Sequence, residues 1–350
     1  MTPASSSAES TAFWTRRNVL VTGGTGMLGS WLCLRLAELG ANVVAIVRDH
    51  VPHSNLWRQP AAHQITVVNG SLVDYAVSQR VLAEYEVDTV FHLAAQTIVP
   101  IANRSPLSTF ESNIRGTWHL LEAARTTPGV RAMVVASSDK AYGDTPDLPY
   151  RETHRLEGKT PYDVSKVCTD LLSQTYHQHY GLPVCIVRCG NIFGGGDLNW
   201  NRLIPGTIRA CHFGEPVLIR SDGSLVRDYI YVRDVVESYL AIGAAIDLPA
   251  VRGQAFNVSN ETKLTVNEVA QRICTALHQP YTPQVLGGAQ DEIQAQYLDS
   301  QKIRDLVRWK PQWTFDSALA ETIGWYQDFF SRPGAAVLGL PAGAGALTKA

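Results

Sequence analysis

Residues 18–29 read NVLVTGGTGMLG and combine a strand-type run with a glycine turn and the start of a helical pattern. The run NVLVT is apolar and rich in β-branched residues, and glycines follow at positions 23, 26 and 29. This spacing lets the chain turn tightly and bring its amides close to a phosphate, with a helix N-terminus facing the anion. We predict a strand–turn–helix unit that binds a dinucleotide pyrophosphate. The residues predicted to contact the cofactor here are Gly23, Thr25, Gly26, Met27, Leu28 and Gly29.

Apolar strand-type runs alternate with runs of helical period over most of the first 190 residues. Strands that are apolar throughout are typical of parallel sheets buried on both faces, and helices between them indicate right-handed crossovers. We therefore predict an α/β fold of Rossmann type with a doubly wound parallel sheet. The strand-type runs are NVLVTG (18–23), ANVVAIV (41–47), TVFHLAA (89–95), AMVVASS (132–138) and PVCIVRCG (183–190).

The rhythm changes after about residue 190, where the loop-rich stretch GNIFGGGDLNWNRLIPG is followed by shorter mixed elements. We predict an NAD(P)-binding domain over residues 15–190, rejoined by about 228–248. A smaller substrate-binding lobe then covers 191–227 and 249–332 and closes over the carboxyl ends of the strands. Residues 1–14 and 333–350 are rich in small residues without clear periodicity, and we expect both to be mobile tails.

Composition excludes several classes of protein. The formal charge is −2 and no basic stripe is present, which argues against a nucleic-acid partner. The six cysteines form no CxxC pair and no Cys/His spacing suited to zinc, so we expect reduced thiols and no metal site. The sequence contains no apolar run of membrane-spanning length and no signal-peptide pattern, so we expect a cytoplasmic protein without a membrane partner.

Tyr162 and Lys166 are four residues apart in a segment of helical character, so both side chains project from one helical face. A neighbouring ammonium favours the phenolate, which predicts that Lys166 lowers the pKa of Tyr162 and makes it a proton acceptor for a hydroxyl. A YxxxK pair also occurs in many helices as an exposed pair without function. Its neighbours therefore decide the interpretation.

The segment SSDKAYG, residues 137–143, follows a buried-type strand at the sheet edge where catalysis belongs in this kind of fold. Ser138 is placed to hydrogen-bond a reacting oxygen and to share a proton path with Tyr162. Asp139 and Lys140 are a ready acid and base, provided that burial moves their pKa values toward neutrality. The alternative is a solvated turn at a strand end.

The end of the second strand carries Arg48 and Asp49, where the 2′ position of the cofactor ribose is read. An acidic residue favours NAD and an Arg favours NADP. Both residues are present here. We expect NAD as the cofactor and keep NADP as the alternative.

The motifs, in this order, resemble those of extended short-chain dehydrogenases/reductases, in the nucleotide-sugar epimerase and dehydratase branch. The resemblance covers about residues 17–330. It rests on VTGGTGMLG, FHLAAQ (91–96), ESNIRGTWHLLEA (111–123), SSDKAYG, YDVSK, RCGNIFGGGD and RDYIYVRD (227–234).

Within that branch the sequence looks most similar to nucleotide-sugar 4,6-dehydratases, and among them to the CDP-glucose 4,6-dehydratases. The resemblance implies oxidation at carbon 4 of the sugar, elimination of water across carbons 5 and 6, and hydride return to carbon 6. Asp139 would protonate the departing hydroxyl, and Lys140 would take the proton from carbon 5. The alternatives are a nucleotide-sugar 4-epimerase, which needs no such pair, and a non-catalytic nucleotide-binding member.

The resemblance also implies further binding residues and an assembly. Ser71 and Leu72, near the adenine, and Leu93, Ala94 and Ala95 would contact the cofactor; the family often has Asp where Ser71 stands. The substrate, a nucleotide-diphosphate sugar, would be contacted by Gln96, Asn191, Arg202 and Arg227. The helical segments at about 108–126 and 162–180 resemble those that pair across a two-fold axis, so we expect a homodimer.

Overall fold

The computed structural model describes residues 7–288 and 292–332. Its main sheet has seven parallel strands in the order β3-β2-β1-β4-β5-β6-β10. This doubly wound order confirms the predicted Rossmann-type α/β fold. The strands of this sheet are β1 Asn18–Thr22, β2 Asn42–Val47, β3 Ile65–Asn69, β4 Thr89–His92, β5 Ala132–Ala136, β6 Val184–Cys189 and β10 Ala255–Val258.

Helices cover both faces of the main sheet because its central strands are apolar on both sides. One face packs on α2 and α9, and the other on α3, α6 and α7. The helices are α1 Ser7–Trp14, α2 Met27–Glu38, α3 Tyr75–Glu84, α4 Val99–Arg104, α5 Pro106–Phe110, α6 Gly116–Thr126, α7 Pro161–Tyr180, α8 Leu203–Phe213, α9 Val232–Ala245, α10 Val266–Ala276, α11 Gln301–Val307 and α12 Phe315–Ser331. A π-helical turn, Glu111–Arg115, joins α5 to α6.

A smaller lobe follows β6 and packs around an aromatic cluster. Strand β9 is its centre, pairing in parallel with β7 and β13 and in antiparallel with β11. Helices α8, α10 and α12 cover these strands, and Tyr326 and Phe329 of α12 are fully buried. The lobe strands are β7 Asn191–Phe193, β8 Leu218–Ile219, β9 Val226–Tyr231, β11 Lys263–Thr265, β12 Gln284–Val285 and β13 Ala295–Gln296.

The ends of the two domains differ from the sequence-based boundaries. Residues 7–14, assigned to a tail, form α1, and Trp14 is only 1% exposed because its indole fills a gap beside Phe91. Residues 255–258, assigned to the smaller lobe, form β10 and pair with β6, since α9 acts as one more crossover. The predicted tail over 333–350 and the first six residues lie outside the described residues.

Two further observations concern the described part of the chain. All six cysteines are free, and five of them are buried. None of the helices within the described ranges combines the length and the hydropathy of a membrane span.

Candidate functional site

The glycine turn after β1 forms an open cradle at the start of α2. Gly23 has φ +75°, and a Cβ there would lie 2.9 Å from the backbone of Ala94. Gly26 is exposed and caps α2 without any side-chain hydrogen bond to the helix amides. Those amides point out of the helix N-terminus, where an anion is favoured. The geometry fits a pyrophosphate, and no side chain of the turn obstructs it.

The segment after β4 lies directly against this turn. The amides of Leu93 and Ala94 donate to Thr22 Oγ1 at 3.1 and 3.2 Å, which holds them beside Gly23. Ala95 follows and is half-buried. Thr25 O accepts a hydrogen bond from Ser54, and Met27 and Leu28 pack their side chains toward the smaller lobe. The structure therefore brings these predicted cofactor residues together around one cleft.

The remaining predicted cofactor residues differ in exposure, from the exposed Arg48 and Asp49 to the buried Leu72. Arg48 and Asp49 form an ion pair with each other at 2.7 Å, and Arg48 also donates to Ser112. Ser71 accepts from the amide of Val73, and Leu72 is buried against Gly116. The Arg48 guanidinium is therefore already paired with a carboxylate at the position where a 2′-phosphate would need a free cation.

Tyr162 and Lys166 lie in the first turns of α7, which begins with a well-formed cap. Thr160 accepts from the amide of Asp163, and the Asp163 carboxylate accepts from the amide of Thr160, a reciprocal capping box. Both predicted side chains are buried, and the Lys166 amine donates to Ala136 O at 2.7 Å, at the carboxyl end of β5. The pair is thus a fixed part of the cleft and not an exposed pair.

The expected effect of Lys166 on the phenol is wrong for the protein alone. Burial raises the pKa of Tyr162 to about 12, and the side chains that oppose this shift are Ser138 and Arg202. The Lys166 amine lies 6.0 Å from the centre of the Tyr162 ring, and burial lowers its own pKa to about 8.

Ser138, Asp139 and Lys140 lie at the end of β5, where a short 3-10 helix covers residues 139–142. Ser138 donates to Asp139 Oδ1 at 3.0 Å, whereas Asp139 Oδ2 is buried and has no partner among the described residues. Burial raises the pKa of Asp139 and lowers that of Lys140, and the attraction between the two opposes both shifts. The solvated-turn alternative does not fit a carboxyl that is 4% exposed.

The four predicted substrate residues lie on different elements, and Arg202 interacts with Tyr162. Arg202 pairs with Asp197 at 3.0 Å, and its charge lowers the pKa of Tyr162. Asn191 is on β7, and its buried Nδ2 has no partner within the described ranges. The other two, Gln96 and Arg227, are hydrogen-bonded within the protein, to Asn113 and to Glu292 respectively.

A buried polar network behind the cleft did not emerge from the sequence. His92 bridges Thr22 Oγ1 at 2.8 Å and Thr117 Oγ1 at 2.9 Å, and burial lowers its pKa to about 3. Asn113, in the π-helical turn, binds the backbone of Gln96 and the hydroxyl of Ser165. His92 lies in the motif FHLAAQ and Asn113 in the motif ESNIRGT. Their polar side chains within these motifs were the signal that the sequence offered.

Two further buried groups come from the smaller lobe. Asp228 accepts from Ser259 and from the amide of Leu298, and its Oδ1 has no partner in the described part of the chain. Burial raises the pKa of Asp228 to about 7. Gln296 accepts a hydrogen bond from Lys140 at 2.5 Å. No local pattern in the sequence marks Gln296.

A dinucleotide cradle at the carboxyl ends of a parallel sheet, with a buried Tyr, Lys and Ser beside it, defines a nucleotide-dependent enzyme of Rossmann type. Residues 19–259 match the NAD dependent epimerase/dehydratase family. The chain is an enzyme of this family.

Individual relatives act on nucleotide sugars. The chain is 29% identical to CDP-glucose 4,6-dehydratase of Salmonella typhimurium, over 90% of this chain and 92% of the relative. Its structure is similar to that of DesIV, a dTDP-glucose 4,6-dehydratase from Streptomyces venezuelae solved with NAD bound, with a TM-score of 0.81, 27% identity and coverage of 89% and 98%. It is also similar to UDP-glucose 4-epimerase of Thermotoga maritima, solved with UDP-glucose, with a TM-score of 0.82, 26% identity and the same coverage.

Proposed function

We propose that this protein is an NAD(P)-dependent nucleotide-sugar 4,6-dehydratase that prefers a CDP-glucose-like substrate. One observation carries the proposal. Asp139, which is buried, and Lys140, which is half-buried, lie beside Ser138 and have pKa values shifted in the directions that an acid and a base require, upward for the carboxyl and downward for the amine. A 4-epimerase needs Tyr162 for the oxidation at carbon 4, but its reaction does not require the Asp139–Lys140 acid–base pair.

The cofactor would lie between the glycine turn and the segment 93–95. Gly23 and Gly26 leave room for its phosphates, and the first amides of α2 would bind them. When bound, NAD supplies the group that accepts the hydride from the sugar and returns it. We favour NAD over NADP because Asp49 neutralises Arg48, so a 2′-phosphate would find no free cation there.

Tyr162 is proposed to take the proton of the hydroxyl on carbon 4. Its side chain interacts with Ser138, which lowers the pKa of the phenol and orients its oxygen. The pKa of about 12 is that of the protein alone. A bound cofactor with a positively charged ring would lower it further, as a nearby cation does for any phenol.

Once carbon 4 is a ketone, the proton on carbon 5 becomes acidic. Lys140, made less basic by burial, is proposed to remove that proton, while Asp139, whose pKa is raised by burial, is proposed to donate a proton to the hydroxyl leaving carbon 6. The unpaired Asp139 Oδ2 supports this part, because a buried oxygen without a partner is free for a substrate hydroxyl.

We propose that Asn191, Arg202, Arg227 and Gln96 contact the sugar nucleotide. Arg202 and Arg227 are both cations near the cleft, which suits a diphosphate, and Arg227 is almost fully buried. The similarity to CDP-glucose 4,6-dehydratase favours a cytidine nucleotide.

The deciding experiment incubates the purified protein with NAD and each of CDP-, dTDP-, UDP- and GDP-glucose, followed by mass spectrometry. Loss of one water from CDP-glucose is the expected result, with slower or no loss from the other three. Products of unchanged mass but altered stereochemistry would replace the proposal with a 4-epimerase, which the similarity to UDP-glucose 4-epimerase favours as the second candidate. Binding of NAD and nucleotide without any product would indicate a non-catalytic member.

We also propose a two-fold homodimer through α6 and α7. These neighbouring helices expose large apolar side chains, with Trp118 at 41%, Leu171 at 51% and Tyr180 at 53%. Such exposure on adjacent helices is typical of an interface with another chain.

A further inference from the structure

Lys140 is held by a residue 156 positions away in the sequence. Its amine donates to the side-chain oxygen of Gln296 at 2.5 Å, the only side-chain hydrogen bond found for that amine among the described residues. Gln296 is fully buried on β13, whereas Lys140 is on the short 3-10 helix after β5. The contact therefore joins the smaller lobe to the strand end that carries Ser138 and Asp139.

The backbone around Gln296 is fixed on both sides. Strand β13 pairs in parallel with β9, in a register that places Gln296 opposite Arg227. Downstream, the amide of Leu298 donates to the Asp228 carboxylate, and Tyr297 O accepts from the amide of Tyr150. Because the backbone on both sides of Gln296 is hydrogen-bonded, the position of its side-chain oxygen is restricted. This oxygen therefore fixes the position of the Lys140 amine.

The nitrogen of the carboxamide is less well paired than its oxygen. Gln296 Nε2 is buried and has no acceptor in good hydrogen-bonding geometry within the described ranges, although the side chain interacts with the Tyr150 phenol. A buried donor without a well-placed acceptor destabilises the folded state. A residue serving only to fill space would be apolar here, so the carboxamide is explained by its polar contacts, of which the hydrogen bond from Lys140 to its oxygen is the closest.

The neutrality of Gln296 matters because Lys140 already faces several charged groups. Asp139, Asp163 and Glu292 favour its ammonium form, while Arg227 and burial disfavour it. A carboxylate at position 296 would add a negative charge at hydrogen-bonding distance and hold the amine protonated. A carboxamide holds it in place with a much weaker effect on its charge.

We propose that Gln296 is a positioning residue for Lys140, fixing the amine at the carboxyl end of β5 through a neutral acceptor that allows it to lose its proton. The use of that amine as the base at carbon 5 rests on the proposed function. The hydrogen bond from Lys140 to Gln296, and its effect on the pKa of Lys140, do not depend on the proposed function.

The first test measures the titration of Lys140 directly and needs no substrate. Protein carrying isotope-labelled lysine is titrated by NMR, and the Lys140 signal is identified by its loss in Lys140→Met. In Gln296→Glu we expect the pKa of Lys140 to rise by about one unit or more, since a carboxylate replaces an amide of the same shape. In Gln296→Met we expect it to fall, because the ammonium loses its acceptor.

The matched control is Gln294→Met on the same segment, whose side chain only donates to Ser224 at the surface. It should leave the Lys140 titration unchanged. Gln296→Asn, which keeps the amide but withdraws it by one methylene, should resemble Gln296→Met and serves in its place if the Met variant does not fold. Identical Lys140 titrations in the wild type and in folded position-296 variants would overturn the proposal.

The second test uses the nucleotide sugar that the wild type dehydrates. A rise of one pKa unit leaves about tenfold less neutral amine below the pKa, so Gln296→Glu should lose about tenfold in kcat with little change in KM. Its incorporation of solvent deuterium at carbon 5 should fall equally, and the activity should recover at higher pH. A rise in KM alone, with kcat, deuterium incorporation and the pH profile unchanged, would contradict a role through Lys140.

The two tests separate the two proposals. If the wild type dehydrates none of the sugars while the Lys140 pKa still responds to position 296, the positioning role stands and the dehydratase assignment fails. If water is lost but Lys140 titrates the same in every variant, the dehydratase assignment stands and the role of Gln296 fails.

Discussion

Burial governs the protonation of the four titratable groups at the site. It raises the pKa of Tyr162 and Asp139 and lowers that of Lys140 and Lys166, so each neutral form is favoured. For Asp139 and Lys140 these shifts are in the directions that suit an acid and a base, whereas the Tyr162 phenol, at about 12, needs a further nearby cation before it gives up its proton.

Replacing Tyr162 with Phe removes the phenolic hydroxyl, which is the proposed proton acceptor, and leaves the aromatic ring in place. We expect kcat to fall by about 10²–10⁴-fold, the usual contribution of a positioned acid or base, while NAD binding and thermal stability stay close to the wild type. Product formation is measured by mass spectrometry and cofactor binding by fluorescence. The control is Tyr176→Phe on the same helix, whose hydroxyl donates to Glu122 away from the cleft. Normal turnover in Tyr162→Phe would exclude its catalytic role.

His92 should make stability depend on pH in a defined direction. Its pKa is depressed to about 3 in the folded state, below the ordinary value of 6.5 in the unfolded chain. The unfolded chain therefore binds a proton first as the pH falls. The stabilisation is complete above pH 6.5 and is lost progressively down to pH 3, at up to about 1.4 kcal/mol per pH unit.

The measurement is urea unfolding at pH 7 and pH 5 of the wild type and of His92→Gln, which keeps a donor and an acceptor for Thr22 and Thr117. Between these pH values the wild type should lose about 2 kcal/mol more than the variant, because the variant lacks the titrating group. Equal losses in both proteins would mean that His92 is protonated in the folded state.

At the scale of elements, the βα turn depends on its glycines for two different reasons. A Cβ at Gly29 would lie 2.1 Å from Gly23 O, so this glycine is required for packing α2 on β1. A Cβ at Gly26 would meet only Gly23 O, at 3.3 Å, so the fold tolerates it. We propose that the glycine at position 26 is required by the cofactor phosphate that would lie outside the turn.

Alanine substitutions separate these reasons. Gly29→Ala should lose about 1–3 kcal/mol of stability through overpacking. Gly26→Ala should lose less stability but weaken NAD binding about tenfold or more, since it blocks amides that would bind a phosphate. The control is Gly324→Ala in α12, which meets no atom within 4 Å and should gain about 0.5–1 kcal/mol. Thermal denaturation and NAD titration measure both quantities. Unaltered NAD affinity in Gly26→Ala would remove the turn from the cofactor site.

For the whole molecule, the exposed apolar residues of α6 and α7 predict a dimer. Leu171→Glu places a charge in the proposed interface and should shift the protein from dimer to monomer in analytical ultracentrifugation. Leu286→Glu changes a leucine of similar exposure, 52%, in the smaller lobe and should leave the assembly unchanged. A wild type that sediments as a monomer at all concentrations would contradict the prediction.

Local patterns were enough to predict five of the seven strands of the main sheet and the elements that carry much of the candidate site. Alternating strand-type and helical runs give the parallel order because crossover connections allow few arrangements. Tyr162 and Lys166 share a helical face by their spacing, and Ser138 follows a strand that ends at the same edge. These features depend on residues close in sequence, so the sequence determined them by itself.

Tertiary structure alone decided the rest. Gln296 reaches Lys140 across 156 residues, Trp14 completes the core beside Phe91, and β10 joins β6, and no local periodicity encodes such partners. The pKa shifts belong to the same class. The cost of burying a charge depends on everything around it, and for Tyr162 this cost outweighs the opposing effects of Ser138 and Arg202.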